Sequence, residues 1–156
     1  IKNIKLIIVG DGDYLPVLKE QVINEKLFDY VIFTGRVSHL EINNYYSIMD
    51  FMVYPRKGYD VCEIVSPLKP YEAMASGKPI IVSNVTALSE MIVNNETGLL
   101  HQKDDVNDLS QKIIQLIDSE DMRMRLSQAG YEWVEKNRNW SLISNKVIDV
   151  YDNLLS

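Results

Sequence analysis

The chain has 156 residues, of which 46% are hydrophobic and 24% are charged, which excludes a disordered segment and allows one globular domain with a buried core. A net charge of −6 excludes binding to nucleic acid through a basic surface, since that binding requires cations that displace counterions from phosphate. A single cysteine, Cys62, excludes an internal disulfide and indicates the reducing cytoplasm, and no apolar run reaches the roughly 18 residues that span a bilayer.

Patterns typical of strands and helices alternate along the first hundred residues. In chain order they predict a strand over 5–9, a helix over 14–26, a strand over 30–34, a helix over 39–49, a strand over 50–54, an irregular loop over 56–66, a helix over 68–75, a strand over 79–83, a helix over 88–93 and a strand over 97–100. From Asp104 onward, three apolar stripes at helical spacing predict helices to the end of the chain. The third stripe consists of Leu142, Val147, Ile148, Tyr151 and Leu154.

The predicted strands are apolar on both faces, which favours an α/β fold with a parallel sheet covered by helices on both sides. No repeat or internal linker interrupts the pattern, so one domain with one sheet is predicted. Ligands bind such sheets outside the carboxyl ends of the strands. The loops after Val9, Thr34, Tyr54 and Ser83 all fall at that edge.

The segment 63–83 carries the strongest local signal. Ser66 is predicted as an N-cap and Pro67 as the first helical residue, and Gly77 falls where a helix C-terminus favours positive φ. A helix N-terminus suits phosphate, and the carboxylates of Glu63 and Glu72 suit sugar hydroxyls. The segment therefore predicts a site for a nucleotide or a nucleotide sugar, although an ordinary capped helix with a solvent-facing glutamate fits the same residues equally well.

Several short motifs support this interpretation by their order and spacing. They are Leu-Ile-Ile-Val-Gly-Asp-Gly at 6–12, Val-Ile-Phe-Thr-Gly at 31–35, the tyrosine pair at 45–46 with Met-Asp-Phe at 49–51, Tyr-Glu-Ala-Met-Ala-Ser-Gly-Lys-Pro at 71–79, Leu-Ser-Glu-Met-Ile at 88–92, Glu-Thr-Gly-Leu-Leu at 96–100, and Trp140. Together they resemble the C-terminal, donor-binding domain of the retaining GT-B glycosyltransferases, the group 1 family. The resemblance covers almost the whole chain.

The resemblance implies a Rossmann-like domain that forms one half of a GT-B fold. It implies transfer of a sugar from a nucleotide-sugar donor to a glycan or lipid-linked acceptor, with retention of configuration, and, from the habit of the family, a role in bacterial surface glycan synthesis. The nucleotide sugar is then the substrate, and no cofactor is implied. Any membrane contact is expected to be peripheral and to involve a domain outside this chain.

The resemblance also implies roles for individual residues. Glu72 matches the glutamate whose carboxylate binds the ribose hydroxyls, which suits two charge-assisted hydrogen bonds. Glu63 is the candidate catalytic residue near the donor sugar. Eight residues separate it from Glu72 where the family has seven, so either the loop bulges or Glu63 is not the equivalent residue. Leu68 and Lys69 match the backbone N–H groups at the donor diphosphate, beside Ser66. The Lys69 ammonium either adds a cation there or is an ordinary solvated lysine.

Further candidates lie in the neighbouring loops. Arg36 and Val37 match the place where main-chain groups hold the base. Gly58 is expected to allow a tight backbone path in the loop that faces the donor sugar. The family often has two glycines after the fourth strand, and residues 84–87, Asn-Val-Thr-Ala, replace them here. The contact made by those glycines is therefore not predicted.

The resemblance also implies parts that this chain does not contain. Family members have an N-terminal acceptor domain and an earlier strand-helix unit whose Arg and Lys neutralise the leaving diphosphate. The chain starts at Ile1 without a methionine or a signal peptide, so an excised piece of a longer protein is expected, inactive by itself. An exposed strip is expected to face the missing domain, formed by Tyr54, Pro55, Tyr59, Val61 and Ile64 with the charges of Glu63 and Lys69.

Other chemistry is less well supported. His39 and His101 lack partners at metal-ligand spacing, so no metal site is predicted. Cys62 has no His or Asn pattern around it and is predicted to be a free thiol. The glycines at 10 and 12 lack the third glycine of a dinucleotide motif. Two alternatives remain open, a non-catalytic module that binds a nucleotide or nucleotide sugar and a GT-B-type sugar-nucleotide epimerase.

Overall fold

The computed structural model describes residues 4–155, apart from the side chains of Leu142, Ile143 and Lys146. The chain forms two compact units, of which the first ends at Tyr45 and the second begins at Tyr46. The first unit contains β1 (Leu6–Val9), α1 (Leu15–Asn24), β2 (Val31–Gly35) and the start of α2 (Ile42–Ile48). The second contains β3 (Met52–Tyr54), α3 (Asp60–Ile64), α4 (Lys69–Ala75), β4 (Ile80–Ser83), α5 (Thr86–Ser89), β5 (Leu99–His101), α6 (Val106–Asp118), α7 (Glu120–Asn137) and α8 (Trp140–Leu155).

The first unit is built on two parallel strands. β1 pairs with β2 from Leu6 opposite Val31 onward, and the register slips by one residue near the end of β1. Gly10 follows β1 with a φ of 130°, and Gly35 ends β2 with a φ of 70°, a region of backbone space that favours glycine. The Gly10 N–H donates to the Gly35 carbonyl at 2.9 Å, so the loops after the two strands start side by side.

The second unit is built on a parallel sheet with β4 at its centre, between β3 and β5. Ile80 and Val82 of β4 pack on one face, and Ile81 packs on the other. The face with Ile80 and Val82 forms the first core, which is completed mainly by residues of α4, α5 and α7, among them Ala73, Met74, Leu88 and Val134. The second is completed by residues of β5, α6 and α7, namely Leu99, Leu116 and Leu126. Helices therefore cover both faces of this sheet, which confirms the predicted α/β class.

The strands are joined differently from the prediction. The sequence pattern predicts one continuous sheet, but between residues 4 and 155 the strand ladders form two, β1–β2 and β3–β4–β5. All these ladders are parallel, as predicted. Apolar periodicity identifies strands, but it does not show which strands pair, because every extended backbone offers the same N–H and C=O groups.

Two short helices also differ from the prediction. α3 occupies part of the segment predicted as an irregular loop, and α5 covers Thr86–Ser89, so it starts two residues before and ends four residues before the helix predicted over 88–93. α3 is too short for an apolar stripe to reveal it, and both helices are too short for isolated stability. A tertiary contact joins them, since the Glu63 carboxylate on α3 accepts a hydrogen bond from the Thr86 N–H at 2.7 Å. The other predicted strands and helices are confirmed, with ends that move by a few residues.

The C-terminal part is helical, as predicted, and local caps divide it. Asp105 caps α6 by accepting hydrogen bonds from the N–H groups of Asn107 and Asp108. Ser119 ends α6 and caps α7 by accepting a hydrogen bond from the Met122 N–H at 3.1 Å. The stripe predicted on α8 is exposed at the members whose side chains are described, Val147, Ile148, Tyr151 and Leu154. The side chain of Leu142 lies outside the described part. Of the helices that the structure describes, none combines the length and the apolar character needed to cross a membrane.

Candidate functional site

The start of α4 differs from the prediction at Ser66. Leu68 is the N-cap, and the Ser66 hydroxyl donates to the Ala87 carbonyl at 3.4 Å instead of capping the helix. The physical reason is Pro70. A helix capped by Ser66 would need the Pro70 nitrogen to donate to the Ser66 carbonyl, which proline cannot do. With the helix starting at Lys69, Pro70 lies in the first turn, where no backbone N–H is required.

The other end of α4 agrees with the prediction at Gly77, which has a φ of 66°. The Gly77 N–H donates to the Met74 carbonyl, and the Lys78 N–H donates to the Ala73 carbonyl, both at 2.9 Å. These two bonds form a Schellman motif, which closes the last turn of a helix and favours glycine at this position. The motif fixes the end of α4 just before β4.

Glu72 lies in the first turn of α4 and is exposed. Its Oε2 accepts a hydrogen bond from the hydroxyl of the buried residue Tyr46 at 3.2 Å. Burial, and then the charge of Glu72, raises the pKa of Tyr46 to about 12, so that hydroxyl stays protonated and remains a donor. Tyr46 thus orients a carboxylate that is open to solvent and able to accept hydrogen bonds from a pair of hydroxyls.

A second tyrosine supports the first turn of α4. The Tyr54 hydroxyl, at the end of β3, donates to the Lys69 carbonyl at 3.0 Å. Burial raises the pKa of Tyr54, and the neighbouring Tyr46 and Glu72 raise it further, so Tyr54 also stays protonated at neutral pH. The side chains of Leu68 and Lys69 are exposed beside this supported turn.

Glu63 is the centre of a polar network. Its Oε2 accepts hydrogen bonds from the Thr86 N–H at 2.7 Å and from the Thr86 hydroxyl at 2.9 Å, and its Oε1 pairs with the Lys103 ammonium. The hydrogen bond from Lys103, followed by those from Thr86, lowers the pKa of Glu63 to about 2. Glu63 is therefore ionised at neutral pH. In this state it can accept hydrogen bonds but cannot supply a proton.

Gly58 lies against the loop that follows β5. Its N–H donates to a carboxylate oxygen of Asp104 at 3.0 Å. A Cβ atom on Gly58 would lie 3.0 Å from that oxygen and 3.2 Å from Cδ of Lys103, so glycine permits this close approach. Within the same segment, Arg56 donates to the Val65 carbonyl at 2.6 Å.

Most of the apolar residues of the expected strip are exposed. Tyr59, Val61 and Ile64 have exposed fractions of 61%, 63% and 79%, and Pro55 is exposed as well. Tyr54 is the exception. It is half-buried because its ring packs against the first core while its hydroxyl reaches α4.

Arg36 and Val37 lie in the first unit, directly after β2. Arg36 forms an ion pair with Asp11 at 3.4 Å, which joins the loops after β1 and β2. Val37 is half-buried. That these two residues hold a base stays a prediction.

Three members of the polar network were missed by sequence reasoning: Asn84, Thr86 and Lys103. Lys103 follows β5, and ligands bind parallel sheets outside the carboxyl ends of their strands. This rule could have identified Lys103 as a candidate site residue. Asn84 and Thr86 lie in the segment that replaces the glycines of the family. Their partners lie far away in sequence, because Asn84 accepts a hydrogen bond from the Lys103 N–H at 2.8 Å and Thr86 donates to Glu63. Contacts over such separations leave no periodic signal.

The remaining candidates from the sequence are Cys62, His101 and a metal site. Cys62 is half-buried and packs against the first core. His101 is buried, with its Nδ1 2.9 Å from the Gln102 carbonyl oxygen. In the described range no group of three or more His, Cys, Asp or Glu side chains is arranged to hold a metal ion.

The network around Glu63 predicts a dependence of stability on pH. In the unfolded chain Glu63 titrates near the ordinary value of about 4.3, whereas in the folded chain its pKa is about 2. A carboxyl group with a lowered folded pKa stabilises the fold above the unfolded value, and this contribution disappears as the pH falls from there through about 2. Glu63→Gln is therefore expected to lower the free energy of unfolding at pH 7 and to lose this effect near pH 2.

Urea unfolding of both proteins at pH 7, 4 and 2.5 checks this prediction. Glu90→Gln makes the same chemical change at an exposed position outside this network and should reproduce the wild-type pH dependence. A constant difference between Glu63→Gln and the wild type across this pH range would contradict the prediction.

Comparison with known proteins identifies the same family that the sequence motifs resemble. A family model described as glycosyl transferases group 1 matches residues 1–133. A glycosyltransferase of Methanocaldococcus jannaschii is 31% identical over 154 residues, which cover 97% of this chain and 41% of that protein. The GDP-mannose-dependent alpha-(1-6)-phosphatidylinositol monomannoside mannosyltransferase of Mycobacterium tuberculosis is 29% identical over 148 residues, which cover 92% of this chain and 38% of that protein.

Solved structures agree with the expected fold. The sucrose-phosphate synthase of Thermosynechococcus elongatus is 28% identical and superposes with a TM-score of 0.83, over 97% of this chain and 38% of that one. The chain thus spans about two fifths of the length of these three proteins.

Proposed function

Because this chain belongs to the group 1 glycosyl transferases, we propose that the protein carrying it transfers a hexose from a nucleotide sugar to an acceptor with retention of configuration. The observation that carries the proposal is the arrangement around α4. An exposed, oriented carboxylate, Glu72, lies in its first turn, and the ionised carboxylate of Glu63 lies in the segment that precedes it.

In this proposal the chain is the donor-binding half of a GT-B enzyme. Glu72 binds the ribose hydroxyls, with Tyr46 orienting its carboxylate. Leu68 and Lys69 bind the diphosphate, with Ser66 nearby, at a turn that Tyr54 supports.

The donor sugar lies near Glu63, Gly58 and the exposed segment around them. Glu63 acts there as an ionised acceptor of hydrogen bonds from sugar hydroxyls, since its surroundings keep it deprotonated. That Arg36 and Val37, which lie in the first unit, hold a base through their backbone groups is a separate proposal. The nucleotide sugar is the substrate, and the proposed reaction includes no further cofactor.

The acceptor and the cationic groups for the leaving diphosphate are proposed to lie in other parts of the protein. The chain spans about two fifths of its relatives, which leaves room for an N-terminal domain. A lipid-linked acceptor fits a relative whose name describes a phosphatidylinositol monomannoside mannosyltransferase. A glycan acceptor and a place in bacterial surface glycan synthesis are proposed from the habit of the family.

A thermal-shift screen of the chain with UDP-, GDP- and ADP-sugars tests the proposal. A ligand at ten times its Kd stabilises the folded state by about 1.4 kcal/mol, which raises Tm by about 3–6 °C for a chain of this size. We expect sugars of one nucleotide to give this shift. Failure of the whole panel to change Tm would contradict the proposal.

Product analysis with the protein that carries this chain separates the alternatives. Transfer predicts a glycosylated acceptor whose anomeric configuration, read by NMR, matches that of the donor. An epimerase would change the sugar without an acceptor. A binding module would leave the nucleotide sugar intact.

A further inference from the structure

The loop after β5, residues 102–104, is held in one conformation by Asn84. Asn84 accepts a hydrogen bond from the Lys103 N–H, and its side-chain amide donates to Oε1 of Gln102, both at 2.8 Å. The Asn84 N–H donates to the His101 carbonyl at 2.9 Å. Asp104 then has a φ of 62°, directly before the cap of α6. The side chains of Lys103 and Asp104 therefore start from a fixed backbone.

These two side chains reach the segment 55–64 at two points. The Lys103 ammonium pairs with Glu63, and the Asp104 carboxylate accepts a hydrogen bond from the Gly58 N–H at 3.0 Å. The side chains of Lys103 and Glu63 are 36% and 24% exposed, so water screens this pair less than a pair at the open surface.

The segment has few other means of support. α3 has five residues, none of which is buried, and a helix of this length is not stable by itself. Tyr59, Val61 and Ile64 point into solvent and do not anchor it. Besides the packing of Cys62 against the first core, the contacts of Glu63 with Thr86 and Lys103, and of Gly58 with Asp104, hold the segment against the rest of the unit.

We propose that Lys103 is a positioning residue, which fixes the carboxylate of Glu63 for its contact with the donor sugar. The Thr86 hydrogen bonds hold Oε2 and the ion pair with Lys103 holds Oε1, so Lys103 fixes the second oxygen of the carboxylate. Lys103 thus affects recognition of the sugar and leaves recognition of the nucleotide to Glu72. The role of Glu63 in sugar binding rests on the proposed function, whereas the contact between Lys103 and Glu63 does not.

Three variants of the chain test this role. Lys103→Met removes the charge and keeps most of the side-chain length, and Lys103→Arg keeps the charge. The control is Lys112→Met, which removes the lysine of another partly buried ion pair, with Asp108 at 4.0 Å in α6. Amide hydrogen exchange at Thr86 and Gly58, measured by NMR without ligand, reports on the contact itself. We also measure the affinity for a nucleotide sugar and the affinity for the matching nucleoside diphosphate. The ratio of the two affinities isolates the contribution of the sugar.

In Lys103→Met we expect exchange at the Thr86 amide to become about five- to tenfold faster, as for loss of a partly screened charged hydrogen bond. The affinity ratio should fall about as far as it falls in Glu63→Gln, while the affinity for the diphosphate stays within about twofold. Lys103→Arg should restore both readouts to a large extent, and Lys112→Met should change neither.

Unchanged exchange at Thr86 in Lys103→Met would overturn the proposal. An unchanged affinity ratio in this variant, where Glu63→Gln reduces it, would also overturn it. A wild-type chain that binds no nucleotide sugar would refute the proposed function, and the exchange measurement would still decide whether Lys103 holds Glu63. Circular dichroism verifies folding, and Lys103→Gln replaces the methionine variant if that protein does not fold.

Discussion

A protein that carries this chain behind an N-terminal domain is expected to transfer sugar at least about a thousandfold faster than the 156-residue chain alone. The reason is charge on the leaving diphosphate, which develops in the transition state and requires more cations than Lys69, the residue of this domain that is proposed to lie beside the diphosphate. Lys103 is already paired with Glu63, and Arg36 with Asp11. Transfer assays of both proteins, with the same donor and acceptor, check this prediction.

The chain alone is expected to bind a nucleoside diphosphate only weakly, with a Kd of ~0.1–1 mM, equivalent to roughly −4 to −5.5 kcal/mol. Domain closure, which completes such a site, is not available to it. The exposed residues Tyr59, Val61 and Ile64 fit a surface that another domain covers. Equal transfer rates for the chain and the longer protein would show that the chemistry lies wholly within these residues.

Replacing Glu72 is expected to give the largest loss of nucleotide binding among single substitutions in this chain. Glu72→Ala should weaken binding by roughly 1.5–3 kcal/mol, the value of hydrogen bonds to a charged group. Glu72→Gln is the sharper test, because it retains an acceptor for the Tyr46 hydroxyl while removing the charge that a pair of ribose hydroxyls prefers. Isothermal titration calorimetry with the nucleoside diphosphate identified in the thermal-shift screen measures both variants.

Two further variants, Tyr46→Phe and Glu90→Ala, serve as comparisons in this experiment. Tyr46→Phe leaves the carboxylate in place and removes its orienting hydroxyl, so a smaller loss of about 1 kcal/mol is expected. Glu90→Ala removes an exposed carboxylate outside the proposed site and should bind as the wild type does. If Glu72→Ala and the wild type have equal affinities, Glu72 does not belong to the site.

Local features of the chain accounted for most of its elements. Gly77 shows why such predictions succeed, since its positive φ and the two bonds of the Schellman motif depend only on residues within one helix end. Ser66 shows how they fail. The capping preference of serine predicts a helix start that needs a hydrogen bond from the Pro70 nitrogen, which proline cannot make.

The candidate site was predictable only in part. The pair of glutamates came from a motif, and Glu72 is indeed exposed on the first turn of α4. The partners of these glutamates were not predictable, because Tyr46, Thr86 and Lys103 lie 23 to 40 residues away along the chain.

The sequence by itself therefore determined the α/β class, the parallel strands and the position of α4, because periodicity, caps and turn residues act over a few neighbours. Only the tertiary structure decided the pairing of strands in two sheets, the helix α3 and the lowered pKa of Glu63. The physical reason is the range of the forces involved. Backbone pairing and ion pairs depend on which segments meet after folding, and the local sequence of each segment carries no record of its partner.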